Sequence, residues 1–399
     1  MSIRGVELFA GGGGLLLGSS LAGVRHELAV ERDRWACDTL RANAAAGHPL
    51  VRGLRVLCDD VRSADWSGFE DGVDLVAGGP PCQPFSLGGK ARAADDSRDM
   101  FPALAEAIAA LRPRAFVVEN VRGLTRQSFH DYFSYVKLRL TYPEIGSREG
   151  ETWREHAGRL EREHTAGGGA ALKYNLVDRV VDAADYGVPQ RRHRVFIVGF
   201  RSDVRAGWAF PAPTHSGEAL RRAQAEGDYF DRHQVPARER LVIRQAGQGG
   251  DPDLLPWRTV RDALAGMPEP RHGGTAGWSD HKLQAGARSY PGHTGSPVDE
   301  PSKTLKAGGH GVPGGENMLR RPDGGVRYYS VREAARIQTF PDEYALHGSW
   351  GEAMRQIGNA VPVLLARVVM SSVVEHLELD AGRTAERRLG QAKRLRAVS

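Results

Sequence analysis

The residue best suited to covalent chemistry is Cys82, in the stretch Gly-Gly-Pro-Pro-Cys-Gln-Pro-Phe-Ser at residues 78–86. It follows the run Val73–Ala77, which predicts a buried strand. The two prolines before it lack amide hydrogens, exclude a helix and stiffen the turn that presents the sulfur. Open α/β sheets bind ligands at the carboxyl ends of their strands, so this thiol is a candidate nucleophile. The structural alternative is a buried cysteine that packs as a small hydrophobe.

Short apolar runs alternate with amphipathic stretches from Ile3 to about Phe200, which is typical of parallel α/β units. A helix is predicted over Met100–Leu111, and the polar, charged stretch 126–169 is expected to decorate the surface. The predicted strands are Gly5–Phe9, Glu27–Val30, Leu54–Leu57, Val73–Ala77, Ala115–Val118 and Val195–Phe200.

Several of these strands end in a polar or glycine residue. One acidic strand end is usually a turn or a helix cap, but several together indicate a composite site, because parallel strands place them along one edge of the sheet. The residues concerned are Gly11–Gly14, Glu31, Asp59 with Asp60, Cys82 and Glu119.

The glycine turn Phe9-Ala10-Gly11-Gly12-Gly13-Gly14 allows a ligand to approach the backbone closely at the start of a helix. It lacks the G-x-G-x-x-G spacing, which argues against a nicotinamide oxidoreductase. Glu31 is placed to accept hydrogen bonds from both ribose hydroxyls of a nucleoside, and Asp60 from an adenine amino group. The pattern therefore predicts a nucleoside-containing cofactor.

Glycine and proline become frequent between about Arg201 and Arg327, which predicts a second, smaller, loop-rich lobe. A disordered linker is the alternative, but the tryptophans in this stretch indicate a packed core. Helical patterns return over Ser330–Thr339 and Ala360–Leu377. We therefore expect a domain of residues 1–200 completed by 328–380, a lobe of residues 201–327, and a basic tail at 381–399.

The composition sets loose limits. The 399 residues exceed the usual size of a single core, and the net charge of +5 permits an acidic partner such as nucleic acid. The three cysteines show no CxxC spacing, so neither a metal site nor a disulfide framework is indicated. The apolar runs are read as too short to span a membrane, and no leader sequence is recognised, so a cytoplasmic location is expected.

The motifs together resemble those of the DNA (cytosine-5) methyltransferases of bacterial restriction-modification type, in the order in which that family carries them. Small departures are Glu7 in place of the usual aspartate and Val363 in place of a second proline. The segments that carry the resemblance are Glu7–Gly14, Val30–Asp33, Asp60-Val61, Pro80–Gln83, Glu119–Val121, Asp185–Arg194, Arg332–Pro341 and Gly358–Pro362.

The resemblance implies a Rossmann-like, S-adenosyl-L-methionine-dependent fold with a mostly parallel sheet and a target-recognition lobe. It also implies transient covalent catalysis on a cytosine turned out of a DNA duplex. Cys82 would add to C6, Glu119 would donate a proton or hydrogen bond to N3, and Arg194 would bind O2.

The resemblance also implies two sets of binding residues. The cofactor-binding set is Phe9, Gly11, Gly13, Glu31, Asp60, Val61 and Asn359. The set expected at the DNA is Ser86, Arg98, Arg192 and Thr304, with Arg192 supporting its loop.

Two alternatives share the scaffold. The first is an RNA cytosine methyltransferase, disfavoured by the sizeable inserted lobe, and the second is a catalytically silent DNA-binding module, disfavoured by the intact Cys82, Glu119 and Arg194. The expected partner is double-stranded DNA bound by a monomer near the bacterial nucleoid, without a membrane. A cognate restriction endonuclease or defence-system protein is an expected companion.

Overall fold

The computed structural model describes residues 2–69, 72–81, 99–167, 169–240, 251–307 and 317–396, with side chains as far as 383. The strands are β1 (Ile3–Leu8), β2 (Val24–Glu31), β3 (Arg55–Cys58), β4 (Leu75–Gly78), β5 (Ala115–Val121), β6 (Tyr174–Asp182), β7 (His193–Arg201), β8 (His215–Ser216), β9 (Leu255–Pro256), β10 (Ser296–Pro297), β11 (Met318–Arg320) and β12 (Val326–Tyr328). The helices are α1 (Gly14–Leu21), α2 (Arg34–Ala45), α3 (Phe101–Leu111), α4 (His130–Thr141), α5 (Trp153–Thr165), α6 (Gly217–Glu226), α7 (Asp228–Arg232), α8 (Val260–Leu264), α9 (Val331–Ile337), α10 (Trp350–Asn359) and α11 (Val363–Arg396).

The main sheet has the strand order β3-β2-β1-β4-β5-β7-β6 within the described ranges. The strands from β3 to β5 pair in parallel, whereas β7 pairs antiparallel with both β5 and β6. The predicted α/β class with a mostly parallel sheet is confirmed.

The predicted apolar runs fall on β1 to β5 and on β7. The sequence predicts a mostly parallel sheet without assigning a direction to the run in β7, which is antiparallel to both of its neighbours. The edge strand β6 was not predicted, because its middle residues, including Asp178 and Arg179, are exposed and leave no continuous apolar run.

The side chains of the central strands alternate between two cores. Val6 and Leu8 of β1 pack on one face with α3 and α4. Leu75 and Ala77 of β4 pack on the opposite face with α11. This period of two fixes which residues face the helices and leaves the strand ends for other contacts.

The expectation that residues 126–169 decorate the surface was wrong for α4. Tyr132, Phe133 and Val136 are buried in the core beside α3, at helical spacing among charged residues. Helix α5 is more exposed than α4. It begins with a capping box formed by Thr152 and Glu155.

The C-terminal helix α11 packs directly on α1. A Cβ atom on Gly18 would lie 2.3 Å from the Cβ of Ala366 and 2.6 Å from the carbonyl oxygen of Val363, so only glycine permits this approach. Residues from both ends of the chain therefore share one core. Helix α11 also continues through the predicted tail as far as Arg396.

Among the described helices, the stretch Trp350–Arg383 is long and apolar enough to cross a membrane by length and composition alone. The expectation that the apolar runs are too short therefore fails by that test. In the fold, 61% of the most apolar part of this stretch is buried, and Leu365, Val369 and Val373 lie in the core of the sheet domain. Packing within the fold accounts for its apolar composition.

The region after β7 contains a small core of its own, in which Leu220, Tyr229, Phe230 and Val235 pack together. Its first residues still belong to the sheet domain, because Trp208 is buried there and donates a hydrogen bond to the hydroxyl of Ser372 at 3.0 Å. The sheet domain thus extends past residue 200 along the chain.

His26 on β2 gives a stability prediction. Both ring nitrogens are buried without a hydrogen-bond partner, and burial lowers its pKa from 6.5 to about 3. As the pH falls below 6.5, His26 is protonated in the unfolded chain but stays neutral in the folded protein. Protonation therefore favours the unfolded chain, and the folded protein loses stability as the pH falls. We expect this effect of His26 to lower the free energy of unfolding by about 2 kcal/mol when the pH is reduced from roughly 7 to 5.

Urea denaturation at both pH values measures this effect. The variant His26→Leu should lose that part of the pH dependence. His272→Leu, changed at an exposed histidine, is the control. An identical pH slope in the wild type and His26→Leu would contradict the prediction.

Candidate functional site

The carboxyl ends of β1, β2, β4 and β5 open into a cleft of about 1220 Å³, larger than a single small-molecule pocket usually is. The structure brings most of the described candidate residues to its walls. Gly13 and Arg192 are not among the lining residues. The candidates that line the cleft are Phe9, Gly11, Glu31, Asp60, Val61, Glu119, Arg194, Thr304 and Asn359.

The glycine turn between β1 and α1 has the unusual backbone that its sequence requires. Phe9 has a φ of 56° and Gly13 a φ of 95°, both in the left-handed region. A Cβ atom on Gly14 would lie 2.2 Å from the carbonyl oxygen of Val361, so α1 begins in direct contact with the segment before α11. Of the four glycines, Gly11 alone has open space at its Cβ position, with no heavy atom within 4 Å, so the backbone is accessible from the cleft there.

Glu31, at the end of β2, is held against this turn. Its carboxylate accepts hydrogen bonds from the backbone amides of Gly11 at 2.8 Å, Arg32 at 2.8 Å and Asp33 at 2.7 Å. These donors fix the carboxylate orientation, and its remaining lone pairs can accept bonds from a pair of hydroxyls.

Asp60 follows β3 and caps a short helical turn that begins at Val61. Its carboxylate accepts hydrogen bonds from the backbone amide and the guanidinium of Arg62. These hydrogen bonds and the positive charge of Arg62 lower the pKa of Asp60 to about 2. It is therefore ionised at neutral pH, as an acceptor for an amino group must be.

Glu119 and Arg194 form a buried pair at the back of the cleft. Glu119 Oε1 lies 2.6 Å from Arg194 Nε, although the angle does not suit a hydrogen bond. Burial raises the pKa of Glu119, while Arg194 and Arg192 act in the opposite direction. A Cβ atom on Gly79 would lie 3.1 Å from Glu119 Oε2, so the glycine before the prolines leaves room for this carboxyl group.

The cleft wall continues to Pro81, beyond which residues 82–98 are not described. The candidates Cys82, Ser86 and Arg98 therefore lie outside the described residues. The side chain of Asn120 donates a hydrogen bond to the carbonyl oxygen of Pro80 at 3.1 Å and so anchors the segment that leads to Cys82.

Arg192 does not fit the prediction of contact with DNA. Its side chain is fully buried, and its guanidinium donates to the carbonyl oxygens of Leu305 at 2.9 Å, Gly358 at 2.6 Å and Ala360 at 2.9 Å. It supports the surrounding segments instead.

Two further candidates come from the later part of the chain. Thr304 donates its hydroxyl to the carbonyl oxygen of Arg191 at 2.7 Å, and Asn359 is exposed at the end of α10. Both line the cleft that the glycine turn also lines, although at least 290 residues separate them from it in sequence.

Three residues in or behind the cleft wall were not predicted as functional from the sequence. Glu7 is buried beside the cleft, its Oε2 has no hydrogen-bond partner, and burial raises its pKa well above the usual value. One indication of it was present in the sequence, because Glu7 stands where the family usually carries an aspartate. Gln190 and Gln338 lay within recognised motifs, but only the fold shows that their side chains meet.

Comparison with known proteins gives a consistent answer. The family model described as C-5 cytosine-specific DNA methylase matches residues 3–141 and 169–375. The stretch between them, residues 142–168, contains α5.

Curated relatives match over nearly the whole chain. The Type II methyltransferase M.PspPI of Psychrobacter sp. (strain TA137) is 32% identical over 383 residues, covering 93% of this chain and 79% of the relative. The Type II methyltransferase M.Eco47II of Escherichia coli is 31% identical over 391 residues, covering 94% and 79%.

Solved structures support the fold. A putative DNA modification methyltransferase encoded within an E. coli prophage superposes with a TM-score of 0.58 at 21% identity, covering 94% of this chain and 100% of that one. The S. pombe Dnmt2 methyltransferase gives 0.56 at 17% identity, covering 94% and 98%. With the extent of the family match and the identity to its curated relatives, the chain belongs to the C-5 cytosine-specific DNA methylase family and is a DNA (cytosine-5) methyltransferase of restriction-modification type.

Proposed function

We propose that this methyltransferase modifies C5 of one cytosine in a specific duplex sequence, using S-adenosyl-L-methionine and a transient bond between Cys82 and C6 of an extruded base. The observation that carries the proposal is the buried Glu119–Arg194 pair, which lies in the same cleft as the glycine turn and Pro81. It supplies a carboxyl group and a cation, the two groups that activation of a pyrimidine requires.

The cofactor fits the residues at one side of the cleft. The backbone of the turn around Gly11 is open, and Glu31 presents oriented acceptors for ribose hydroxyls. Asp60 suits an adenine amino group, with Val61 as an apolar neighbour, and Asn359 closes the pocket. When bound, S-adenosyl-L-methionine supplies an electrophilic methyl group on sulfur.

Cys82 acts as the nucleophile. Its thiolate adds to C6 of the cytosine, and the electron pair of the C5–C6 bond becomes available for attack from C5. Removal of the C5 proton after methylation reverses the addition and releases the sulfur. The bond between Asn120 and Pro80 holds the segment before Cys82 in place during both steps.

Glu119 and Arg194 activate the ring. Burial favours the protonated form of Glu119, which can then donate to N3. The fixed cation of Arg194 binds O2 and stabilises negative charge as it develops there. The two groups are held together before the base arrives, so little reorganisation is needed.

The loop-rich lobe, which begins after Phe210 and ends at about residue 327, reads the sequence through base edges and phosphates, with Ser86, Arg98 and Thr304 at the target nucleotide. The enzyme acts as a monomer on DNA in the bacterial cytoplasm, at the nucleoid. The naming of its relatives as Type II methyltransferases supports a cognate restriction endonuclease or related defence protein as its companion.

Methylation of unmodified DNA is the direct test. After incubation with the enzyme and S-adenosyl-L-methionine, base-resolution sequencing should show 5-methylcytosine at one defined sequence. Cys82→Ala should abolish this signal while duplex binding persists, and Cys58→Ala, on β3 outside the cleft lining, should retain activity. Methylation of RNA alone, or full activity of Cys82→Ala, would refute the proposal.

A duplex with 5-fluorocytosine at the target tests the covalent step. Fluorine cannot leave as a proton does, so the addition cannot be reversed and a denaturation-resistant complex should accumulate. Gel electrophoresis under denaturing conditions detects it. An active enzyme that forms no such complex would exclude attack by Cys82 on the base.

Glu119→Gln should slow methyl transfer by at least about 100-fold, because general acid catalysis contributes this much or more. Binding of S-adenosyl-L-homocysteine should change much less. In the wild type the rate should fall as the pH rises through the elevated pKa of Glu119, since the proton is then lost, and the variant should lack this decline.

The matched control is Glu333→Gln, at another buried glutamate paired with an arginine but outside the cleft. It should lower stability and keep the pH profile. Equal losses of rate and cofactor binding in Glu119→Gln would instead assign Glu119 to the cofactor pocket.

Glu31→Ala should weaken binding of S-adenosyl-L-homocysteine roughly 10- to 100-fold, because it removes charge-assisted hydrogen bonds and loosens the glycine turn. Isothermal titration calorimetry measures the change. Glu27→Ala removes a carboxylate from the same strand, where Glu27 pairs with Arg4 instead, and should leave the affinity unaltered. Comparable losses in both variants would contradict the assignment.

A further inference from the structure

Two cysteines that the mechanism does not use lie together beside the cleft, outside the residues that line it. Cys37 is in the first turn of α2 and is fully buried, whereas Cys58 is the last residue of β3 and is half-buried. Both are free thiols. We call these two residues the thiol pair.

The packing of α2 on the sheet brings the two thiols to the same place. Side chains alternate along a strand, so Cys58 faces the same side of β3 as Val56, which packs in one cluster with Leu40 of α2. Leu40 follows Cys37 by one helical turn on the buried face of α2. Because β3 runs parallel to β2, α2 runs back between them, and Cys37 therefore lies at the level of Cys58. Their side chains are close enough to hydrogen-bond.

Glu31 is bound to this arrangement through its backbone. The thiol of Cys37 donates a hydrogen bond to the carbonyl oxygen of Glu31 at 3.2 Å, and Cys58 is the partner of Glu31 in the pairing of β2 with β3. The carboxylate of Glu31 accepts the amide hydrogen bonds that hold it at the glycine turn. Asp60 follows Cys58 by two residues. A change in the distance between the two sulfur atoms therefore displaces the residues assigned to the ribose and the adenine.

The different exposure of the two thiols sets the order of an oxidation. Burial raises the pKa of Cys37, and the neighbouring Cys58 acts in the same direction, so Cys37 stays protonated and unreactive. Hydrogen peroxide reaches the half-buried Cys58 and oxidises its thiol to a sulfenic acid, with release of one water molecule. The sulfur of Cys37 then displaces the hydroxyl group as a second water molecule, and the two sulfur atoms are joined. Two thiols are oxidised and one peroxide is reduced.

We propose that Cys37 and Cys58 are a modification site, at which hydrogen peroxide forms a reversible disulfide that weakens binding of the cofactor. The effect on the cofactor rests on the roles of Glu31 and Asp60 in the proposed function. A disulfide holds its sulfur atoms about 2.05 Å apart, closer than two thiols in contact, so the first turn of α2 and the end of β3 must approach each other. The hydrogen bond from Cys37 to Glu31 is lost as well, because the thiol hydrogen has been removed.

The disulfide is tested by mass spectrometry on the full chain carrying Cys82→Ala, which keeps peroxide from acting on the proposed nucleophile. The protein is treated with hydrogen peroxide, the oxidant is removed, and the remaining thiols are alkylated. Tryptic digestion without a reductant should then give peptides 35–41 and 56–62 joined, with the loss of two hydrogen atoms. Dithiothreitol should separate them. Peptides that remain separate after this treatment overturn the proposal.

The effect on the cofactor is measured by isothermal titration calorimetry with S-adenosyl-L-homocysteine. The oxidised protein should bind it about tenfold more weakly than the reduced protein, and dithiothreitol should restore the affinity. Cys37→Ala and Cys58→Ala, each combined with Cys82→Ala, are the matched controls, because neither can form the bond. Their affinities should be the same before and after peroxide.

Two results would overturn the effect on the cofactor: an unchanged affinity in protein whose peptides are fully joined, or an equal loss of affinity in the control variants. Failure of the proposed function is distinguishable, since a reduced protein that binds no S-adenosyl-L-homocysteine overturns the cofactor site, whereas the joined peptides are detected by mass alone. If the variant at the buried Cys37 does not fold, Cys58→Ala at the half-buried position supplies the control.

Discussion

The antiparallel pairing of β7 with β5 is the constraint on which the site depends. In this register Val121 lies opposite Arg194 and Glu119 lies opposite Phe196, so the beginning of β7 meets the end of β5. A parallel β7 would begin at the far edge of the sheet. The carboxyl group and its arginine meet in the cleft because one strand of the sheet is reversed.

This pairing also sets the electrostatics. Burial favours the neutral form of Glu119, and the nearby arginines favour the charged form, with burial dominant. A carboxyl group so balanced can hold a proton at a pH where an exposed glutamate has lost it. The pKa of Glu119 therefore depends both on how deeply its side chain is buried in the sheet domain and on its distance from Arg194.

The sequence was sufficient to predict the features that depend on neighbouring residues alone. The glycine turn, the acidic strand ends and the buried runs of β1 to β5 all follow from residue type and spacing. The reversed direction of β7, the exposed edge strand β6 and the burial of α4 depend on tertiary pairing, which local periodicity does not report. Arg192 is the clearest case: an arginine beside a site suggests a phosphate contact, but its three carbonyl partners come from residues 305, 358 and 360.

The contact between Gly18 and Ala366 has a consequence for biosynthesis. Helix α1 is made early, yet the surface that covers it emerges from the ribosome more than 300 residues later. Until then the nascent domain keeps an uncovered apolar helix and an unfinished cleft, and long-range closure of this kind is slow and open to aggregation. The core on this face of the sheet is therefore completed only after α11 has been synthesised.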